Sequence, residues 1–330
     1  MTTRTNIKKG KYKMKVDMEL YHWYSKILRC PSCHGELDLT VDNIVCSTCE
    51  HNFHKNDGFW DFTGPGIRFK DAWSLDPGSA QSFLSQHAIV EEQGQKHFAE
   101  YYINPLLKSL FPSAGSVKVL SIGCGCGMDV DVLNMLGFEA WGVEPGQRPV
   151  RWINREKKDR LFLADGKRLP FADDSFDFIY SEGVIEHVGV IGDSGKVQAD
   201  YKEQRRTFLE EAKRVTRPGG YLLITSPNRL CPVDICHGGP HLHSVFHPFY
   251  VSYGDVLELL GEDMEHARQL SLRNFFNLSG RHFDVGNIRV PGKIIELFLR
   301  VMNSPVLWRL TTPMLSILAK KPEDMKSERP

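Results

Sequence analysis

The stretch Val119-Leu120-Ser121-Ile122-Gly123-Cys124-Gly125-Cys126-Gly127 constrains the fold more than any other part of the chain. A short apolar run, the length of a buried strand, ends in a loop with glycine at every second position. A segment of helical character, Met128 to Leu136, follows at once. Strand, glycine turn and helix N-terminus in this order bring backbone N–H groups close to a bulky polar ligand, because glycine lacks the Cβ that would hold it off. A glycine-rich turn taken alone is a weak signal.

The next landmarks fall in register with it. Glu144 ends a second apolar strand, Ala140-Trp141-Gly142-Val143, about twenty residues after the loop, where the βαβ dinucleotide fingerprint places an acid for a ribose. Asp165 follows a third apolar run. Leu169-Pro170-Phe171 and Asp174-Ser175-Phe176-Asp177 lead into a fourth strand, Phe176 to Tyr180. Arg214-Val215, Arg217-Pro218-Gly219-Gly220 and Tyr221 to Thr225 read as helix, turn and fifth strand. This ordered set resembles the class I S-adenosylmethionine-dependent methyltransferases over roughly residues 95–319. The resemblance implies an α/β fold: a Rossmann-like seven-stranded sheet with helices on both faces. It implies S-adenosylmethionine held by Gly123, Cys124, Gly125 and Gly127, its ribose on Glu144 and its adenine near Asp165 and Gly166, with Ser181 at the end of the fourth strand completing the set. One position departs from the family pattern. Ser121 stands where an acid usually helps hold the amino group of the cofactor's methionine, so that contact must be weaker or made elsewhere. Cys124 and Cys126 suit a crowded loop rather than a metal site.

Four other cysteines form Cys30-Pro31-Ser32-Cys33 and Cys46-Ser47-Thr48-Cys49. Each CxxC can turn tightly enough to aim two thiolates at one centre, and two such knuckles make a closed tetrahedral sulfur site. Such a zinc is structural, since four sulfurs leave no open position. Leu37, Leu39, Val41, Ile44 and Val45 between the knuckles predict a short hairpin. His34, His51 and His54 lie close by but are not needed as ligands. The ribbon, with its Asn56-Asp57-Gly58-Phe59-Trp60 tail, resembles the tRNA-methyltransferase activator domain family. It could read substrate or brace the larger domain, and a unit this small needs a staple in either case.

The expected organisation is a mobile basic leader over 1–18, the zinc ribbon over 19–62 with a short helix from Leu20 to Leu28, and a linker or lid over 63–92. The methyltransferase domain spans 93–322 and a tail 323–330. Helices are expected over Gln93 to Phe111, Tyr201 to Val215 and Pro291 to Asn303, one begins at Val256 to Leu260, and a closing strand runs from Pro313 to Lys320. The charge run on Tyr201 to Val215 predicts a solvated face. The composition, 41% apolar and 25% charged, is that of a globular protein, and Lys+Arg and Asp+Glu are both 41. That balance lacks the basic bias of a protein held on phosphates. No secretory h-region or run of about 20 apolar residues is visible, so the expected compartment is the cytoplasm.

Methyl transfer needs an oriented acceptor, exclusion of water and, for some acceptors, a base. His187, after the fourth strand, is one candidate, with packing beneath the cofactor as its alternative. His237 and His241, with His243 and His247, form a second group after the fifth strand, which could touch an acceptor, bind a metal or simply pack. Ser181-Glu182-Gly183-Val184 replaces the Asn/Asp-Pro-Pro-aromatic motif of enzymes acting on exocyclic base amines or glutamine. The favoured acceptor is therefore a small molecule, saccharide or lipid-linked compound. The rival readings are an RNA methyltransferase gripping substrate through the ribbon, and a non-catalytic partner-activating subunit. The helix over 291–303 and the loop over 231–247 are expected to shape the acceptor pocket, and 291–310 offers an apolar face for peripheral membrane contact.

Overall fold

The structure is a computed structural model that describes residues 22–40, 43–63, 89–113, 115–146, 149–191, 195–236, 241–278, 282–285, 288–302, 308 and 312–323. The basic leader, most of the linker and His237 lie outside the described residues.

Helix α1 covers 22–27 and leads into the ribbon. Strands β1 (Leu37–Leu39), β2 (Ile44–Cys46) and β3 (Asn52–Phe53) form an antiparallel sheet, followed by the hairpin β4 (Lys55–Asn56) and β5 (Phe59–Trp60). The hairpin expected between the two knuckles is β1–β2. Helix α2 covers 89–97, continues as a π-helical turn over Phe98–Ile103, and passes into α3 (Asn104–Leu110). The single helix expected over Gln93 to Phe111 is thus continuous but widened at its centre.

Strand β6 (Lys118–Ile122) then starts the main unit, followed by α4 (Met128–Met135), β7 (Glu139–Glu144), α5 (Pro149–Trp152), β8 (Leu161–Leu163), β9 (Phe176–Glu182), α6 (Tyr201–Val215) and β10 (Thr216–Pro227). Two short pairs, β11 (Val233–Asp234) with β12 (His241–Leu242) and β14 (His282–Val285) with β15 (Ile288–Pro291), decorate the C-terminal half. Between and after them come α7 (Tyr253–Leu260), β13 (Glu265–Gln269), α8 (Gly292–Met302) and β16 (Met314–Lys320). The seven-stranded sheet runs β13-β16-β10-β9-β6-β7-β8. Strands β6 to β10 are parallel to their neighbours, whereas β16 is antiparallel to β10 and to β13.

This order places a topological switch between β6 and β9. The chain moves outward from β6 through β7 to β8, then returns to β9 on the other side. Open α/β sheets bind ligands in the crevice beyond the strand ends at such a point. Apolar residues alternate to both faces of the buried strands, so each face has its own core: Leu120, Ile122, Ile179 and Ile224 on one, Val119, Phe178, Tyr180 and Leu223 on the other.

The ribbon joins the first of these cores. Leu37, Ile44, Phe53, Trp60 and Phe62 pack with Trp141, Phe162 and Phe171. Trp23 stacks on Trp141 with ring centroids 4.1 Å apart. Backbone bonds complete the join: the Phe62 N–H donates to Leu163 O (2.7 Å), Arg29 N–H to Pro170 O (3.1 Å) and Ala172 N–H to Ile27 O (2.7 Å). The ribbon thereby covers the β8 edge, whose open N–H and C=O groups would otherwise invite pairing with other chains.

One expectation about α6 is corrected. Its charge run is not simply a solvated face, because Arg205 and Glu211 are buried. Arg205 donates to the carbonyls of Glu186 (2.9 Å), Val188 (3.3 Å), Pro248 (3.1 Å) and Phe249 (2.7 Å), and Glu211 accepts from the Leu169 N–H and Arg214. Among the described residues no helix is long and apolar enough to cross a membrane.

Candidate active site and metal centre

The glycine loop lies at the switch point. Gly123, Gly125 and Gly127 all have positive φ, at 82°, 50° and 71°. At Gly123 the need for glycine is twofold, since an added Cβ would also stand 2.3 Å from Val184 Cγ2. The loop's N–H groups are engaged by side chains. Glu144 accepts from Gly125 through Oε2 (3.1 Å) and from Gly146 through Oε1 (3.1 Å). Helix α2 supplies the rest: Glu91 accepts from the Cys126 N–H (3.0 Å), and Gln95 from the Met128 N–H (3.0 Å). Gln95 also donates to the Cys124 carbonyl (2.9 Å). Glu91 and Glu92 are ion-paired with Arg151 and Arg155. Helix α2 is thus pinned over the loop, where the sequence suggested a lid.

A buried carboxylate from α4 lies beside Ser121. Ser121 and Tyr180 are paired in register across β6 and β9. Asp129, in the first turn of α4, receives both hydroxyls on one oxygen: Ser121 Oγ at 2.7 Å and Tyr180 Oη at 2.5 Å. Burial pushes the Asp129 carboxyl above its usual range while the two hydroxyl donors pull it down, and burial holds the Tyr180 phenol well above its own. The acid absent from position 121 is present in space eight residues later. The signal in the sequence is an acid two residues past the last loop glycine, which reaches Ser121 only once α4 packs.

Asp165 is buried just past β8, where Oδ1 accepts from the Lys167 N–H (2.9 Å). Gly166 packs against Phe208, whose ring atom would lie 2.6 Å from a Cβ there. Cys124 and Ser181 are buried. Ser181 lies on the sheet face opposite Tyr180, and its hydroxyl has no hydrogen-bond partner among the described residues. Glu182, not singled out from sequence as a site residue, lies on the same face as Tyr180 and Ser121. Burial and the charges of Asp129, Glu91 and Glu186 push its carboxyl up to about 8.

Past β9, Ile185–His187 forms a 3-10 turn. His187 meets the Phe249 ring edge-on at 5.1 Å, and Arg205 ties this turn to the 248–249 backbone. The other histidines separate. His241 pairs through its backbone with Asp234. His243 stacks on Tyr250 (3.9 Å), and His247 Nδ1 accepts from the Phe249 N–H (3.3 Å). Tyr250 donates to buried Asp234 (2.9 Å). Glu182, Glu186 and Asp234 all act on the Cys236 thiol, which turns onto Met314 Sδ at 3.2 Å. The acceptor side of the crevice is therefore acidic.

Helix α8 does not meet the described residues of the 231–247 loop in the cavity that it lines. Helix α8 lines a cavity of about 410 Å³ with His97, the segment Gln269–Asn274 and Trp308, and no described residue of 231–247 lines it. The cavity sits at the β13 end of the sheet. The apolar stripe of α8, Ile294, Leu297, Phe298 and Val301, is exposed.

At the other end, Cys30, Cys33, Cys46 and Cys49 bring their sulfurs within 4.8 Å of one another. Cys30 and Cys49 are 3.6 Å apart and Cys33 and Cys46 3.5 Å, close to the roughly 3.8 Å edge of a tetrahedron with 2.3 Å metal–sulfur bonds. Thr48 and Cys49 N–H groups donate to Cys46 Sγ, both at 3.4 Å, as a metal-binding knuckle requires. It is the one group of possible metal ligands among the described residues, and His34, His51, His54, His243 and His247 are not part of it.

Residues 120–224 match the methyltransferase domain family. A probable tRNA methyltransferase 9B of Mus musculus is 34% identical over 109 residues, 32% of this chain and 21% of that protein. A ubiquinone biosynthesis O-methyltransferase of Bradyrhizobium diazoefficiens is 27% identical over 120 residues, 35% and 42% of the two chains. The crystal structure of an S-adenosylmethionine-dependent methyltransferase from Mesorhizobium loti superposes with a TM-score of 0.40 at 17% identity, covering 68% of this chain and 98% of that one. The chain spans less than half the length of the curated relatives it matches first. Residues 120–224 therefore carry a methyltransferase domain.

Proposed function

We propose that the chain transfers a methyl group from S-adenosylmethionine to a small acceptor, and that its N-terminal ribbon holds one structural zinc. Gly123, Gly125 and Gly127 would cradle the cofactor and Glu144 its ribose, with the adenine near Asp165 and Gly166. Asp129, fixed by Ser121 and Tyr180, would hold the methionine ammonium. The donor set fits: a loop that tolerates no Cβ at Gly123, an acid positioned by two backbone N–H groups, and a buried anion for a cation. When bound, the cofactor supplies an electrophilic methyl. The chain's residues orient it and exclude water.

The observation that carries the small-acceptor reading is the acidic lining past β9, where Asp234 and Glu186 act on one thiol. Such a crevice repels a phosphate backbone and suits hydroxyl or amine acceptors. The ribbon's position supports a bracing role. It lies beyond β8, three strand spacings from β9, or roughly 14 Å. The lipid-linked variant draws on the exposed stripe of α8. Flotation with liposomes tests it: partitioning should be lost in Leu297→Ser/Phe298→Ser, and equal partitioning by both proteins removes it.

The acceptor class is tested with methyl-labelled S-adenosylmethionine, offered with a small-molecule extract and separately with total RNA. Label in the small-molecule fraction is expected. Label in RNA would replace this reading with that of an RNA methyltransferase, and cofactor that fails to bind would favour the activating subunit.

A further inference from the structure

The last residue of β9 is a carboxylate in an unusual setting. Glu182 is half-buried at the switch point. Its side-chain carboxylate makes no hydrogen bond or ion pair with any described residue. The groups that act on it from the elements packed around it are all acidic: Asp129 from α4, Glu91 from α2 and Glu186 from the following turn. The cations in the neighbourhood are directed elsewhere, Arg151 to Glu91 and Arg205 to backbone carbonyls. A second, independent sign of a missing ligand stands beside it. Thr225 is paired in register with Glu182 on the same sheet face, is 1% exposed, and its hydroxyl has no hydrogen-bond partner among the described residues. Buried polar groups are normally satisfied, so a desolvated acid beside an unused hydroxyl marks ligand space.

Resting on the methyltransferase reading above, we propose that Glu182 is the residue by which the crevice prefers the sulfonium cofactor to its neutral thioether product, through a direct charge pair. Donor and product share adenine, ribose and amino acid. They differ by one methyl and one positive charge. The other predicted contacts, from Glu144 to Asp129, are made to groups that donor and product share. A carboxylate in a partly desolvated crevice tells the two apart, because its attraction to a cation is many times stronger there than in water. The preference also helps turnover, since loss of the charge on methyl transfer weakens the product's hold.

The proposal has a proton signature. With its carboxyl held near 8, Glu182 is mostly protonated at neutral pH in the free protein. A bound cation favours the carboxylate and lowers its pKa, so the proton passes to the buffer as the ion pair forms. Donor affinity should therefore rise with pH and level off above about 8, while product affinity stays flat.

Calorimetry of the full chain at pH 7.5, in two buffers of different ionisation enthalpy, tests this with S-adenosylmethionine and S-adenosylhomocysteine. The donor should release roughly half a proton and the product none. In Glu182→Gln the release should vanish and the preference for donor should fall about tenfold, with product affinity unchanged. Glu182→Asp, which keeps the charge, should retain release. Equal release by both ligands in the natural chain, or undiminished preference in Glu182→Gln, overturns the proposal and leaves the methyltransferase reading intact. Failure of both ligands to bind the natural chain removes that reading and the proposal together.

Discussion

The two ends of the ligand-binding half of the sheet are built on opposite principles. At the β8 edge, the ribbon presents aromatic and aliphatic side chains, backbone bonds from Arg29 and Phe62, and a compact set of four sulfurs. At the β6/β9 switch, the chain gathers positive-φ glycines, the buried acid Asp129, a carboxyl pushed up to about 8 at Glu182, and the hydroxyls of Ser181 and Thr225, unpartnered among the described residues. The first region is held by apolar packing and backbone pairing. The second breaks several local rules of packing at once, which marks a place shaped for a ligand rather than for stability. A fold can hold such a crevice only if its remainder is well tied together, and the ribbon is one of the ties.

The largest expected effect breaks the ribbon. Cys33→Ser should lose the zinc, and because the ribbon shares a core with Trp141 and Phe162 the melting temperature should fall by about 10 °C or more. A metal assay with differential scanning calorimetry checks both. Zinc retained, or melting unchanged, would mean that the ribbon does not brace the domain. Next comes the crevice. Asp129→Ala should weaken S-adenosylmethionine binding on the order of tenfold or more, since a charge-assisted bond is worth roughly 1.5–3 kcal/mol. Equilibrium dialysis reads it, and an unchanged affinity would return the ammonium contact to some other group.

A milder substitution sharpens the division. Trp23→Ala removes the stack on Trp141 and should cost about 1–2 kcal/mol of stability while cofactor affinity stays the same. A parallel loss of affinity would show that ribbon and crevice are not separate in function. The smallest effect is a pH slope. Glu182 titrates near 8 in the fold against an ordinary 4.5, so the folded form binds the extra proton. Its contribution is fully present below about 4.5 and is lost as pH rises towards 8, and the fall should flatten in Glu182→Gln. Denaturant titrations across that range would show the slope, and identical curves would place Glu182 in water.

The ribbon was almost wholly legible in the sequence because its determinants are local: two CxxC turns and a hairpin between them, all within Cys30 to Cys49. The glycine loop, Glu144 and the strands read equally well, since each is set by a short pattern. What escaped was whatever depends on cross-strand register. Asp129 meets Ser121 and Tyr180 only because β6 and β9 are neighbours. Arg205 looks like one charge in a solvated run until α6 packs and directs it at four carbonyls. Helix α8 and the 231–247 loop looked like two walls of one pocket because both precede the closing strand, yet the cavity that α8 lines has no described residue of the loop on its wall.

The central claim is that the β6/β9 crevice is the cofactor site and Glu144 its ribose anchor. The most direct test is a calorimetric titration of S-adenosylmethionine into the natural chain and into Glu144→Ala, both with full zinc content. Saturable binding by the first and an affinity lower by about tenfold or more in the second is the result predicted here. Equal affinity in the two proteins would contradict it.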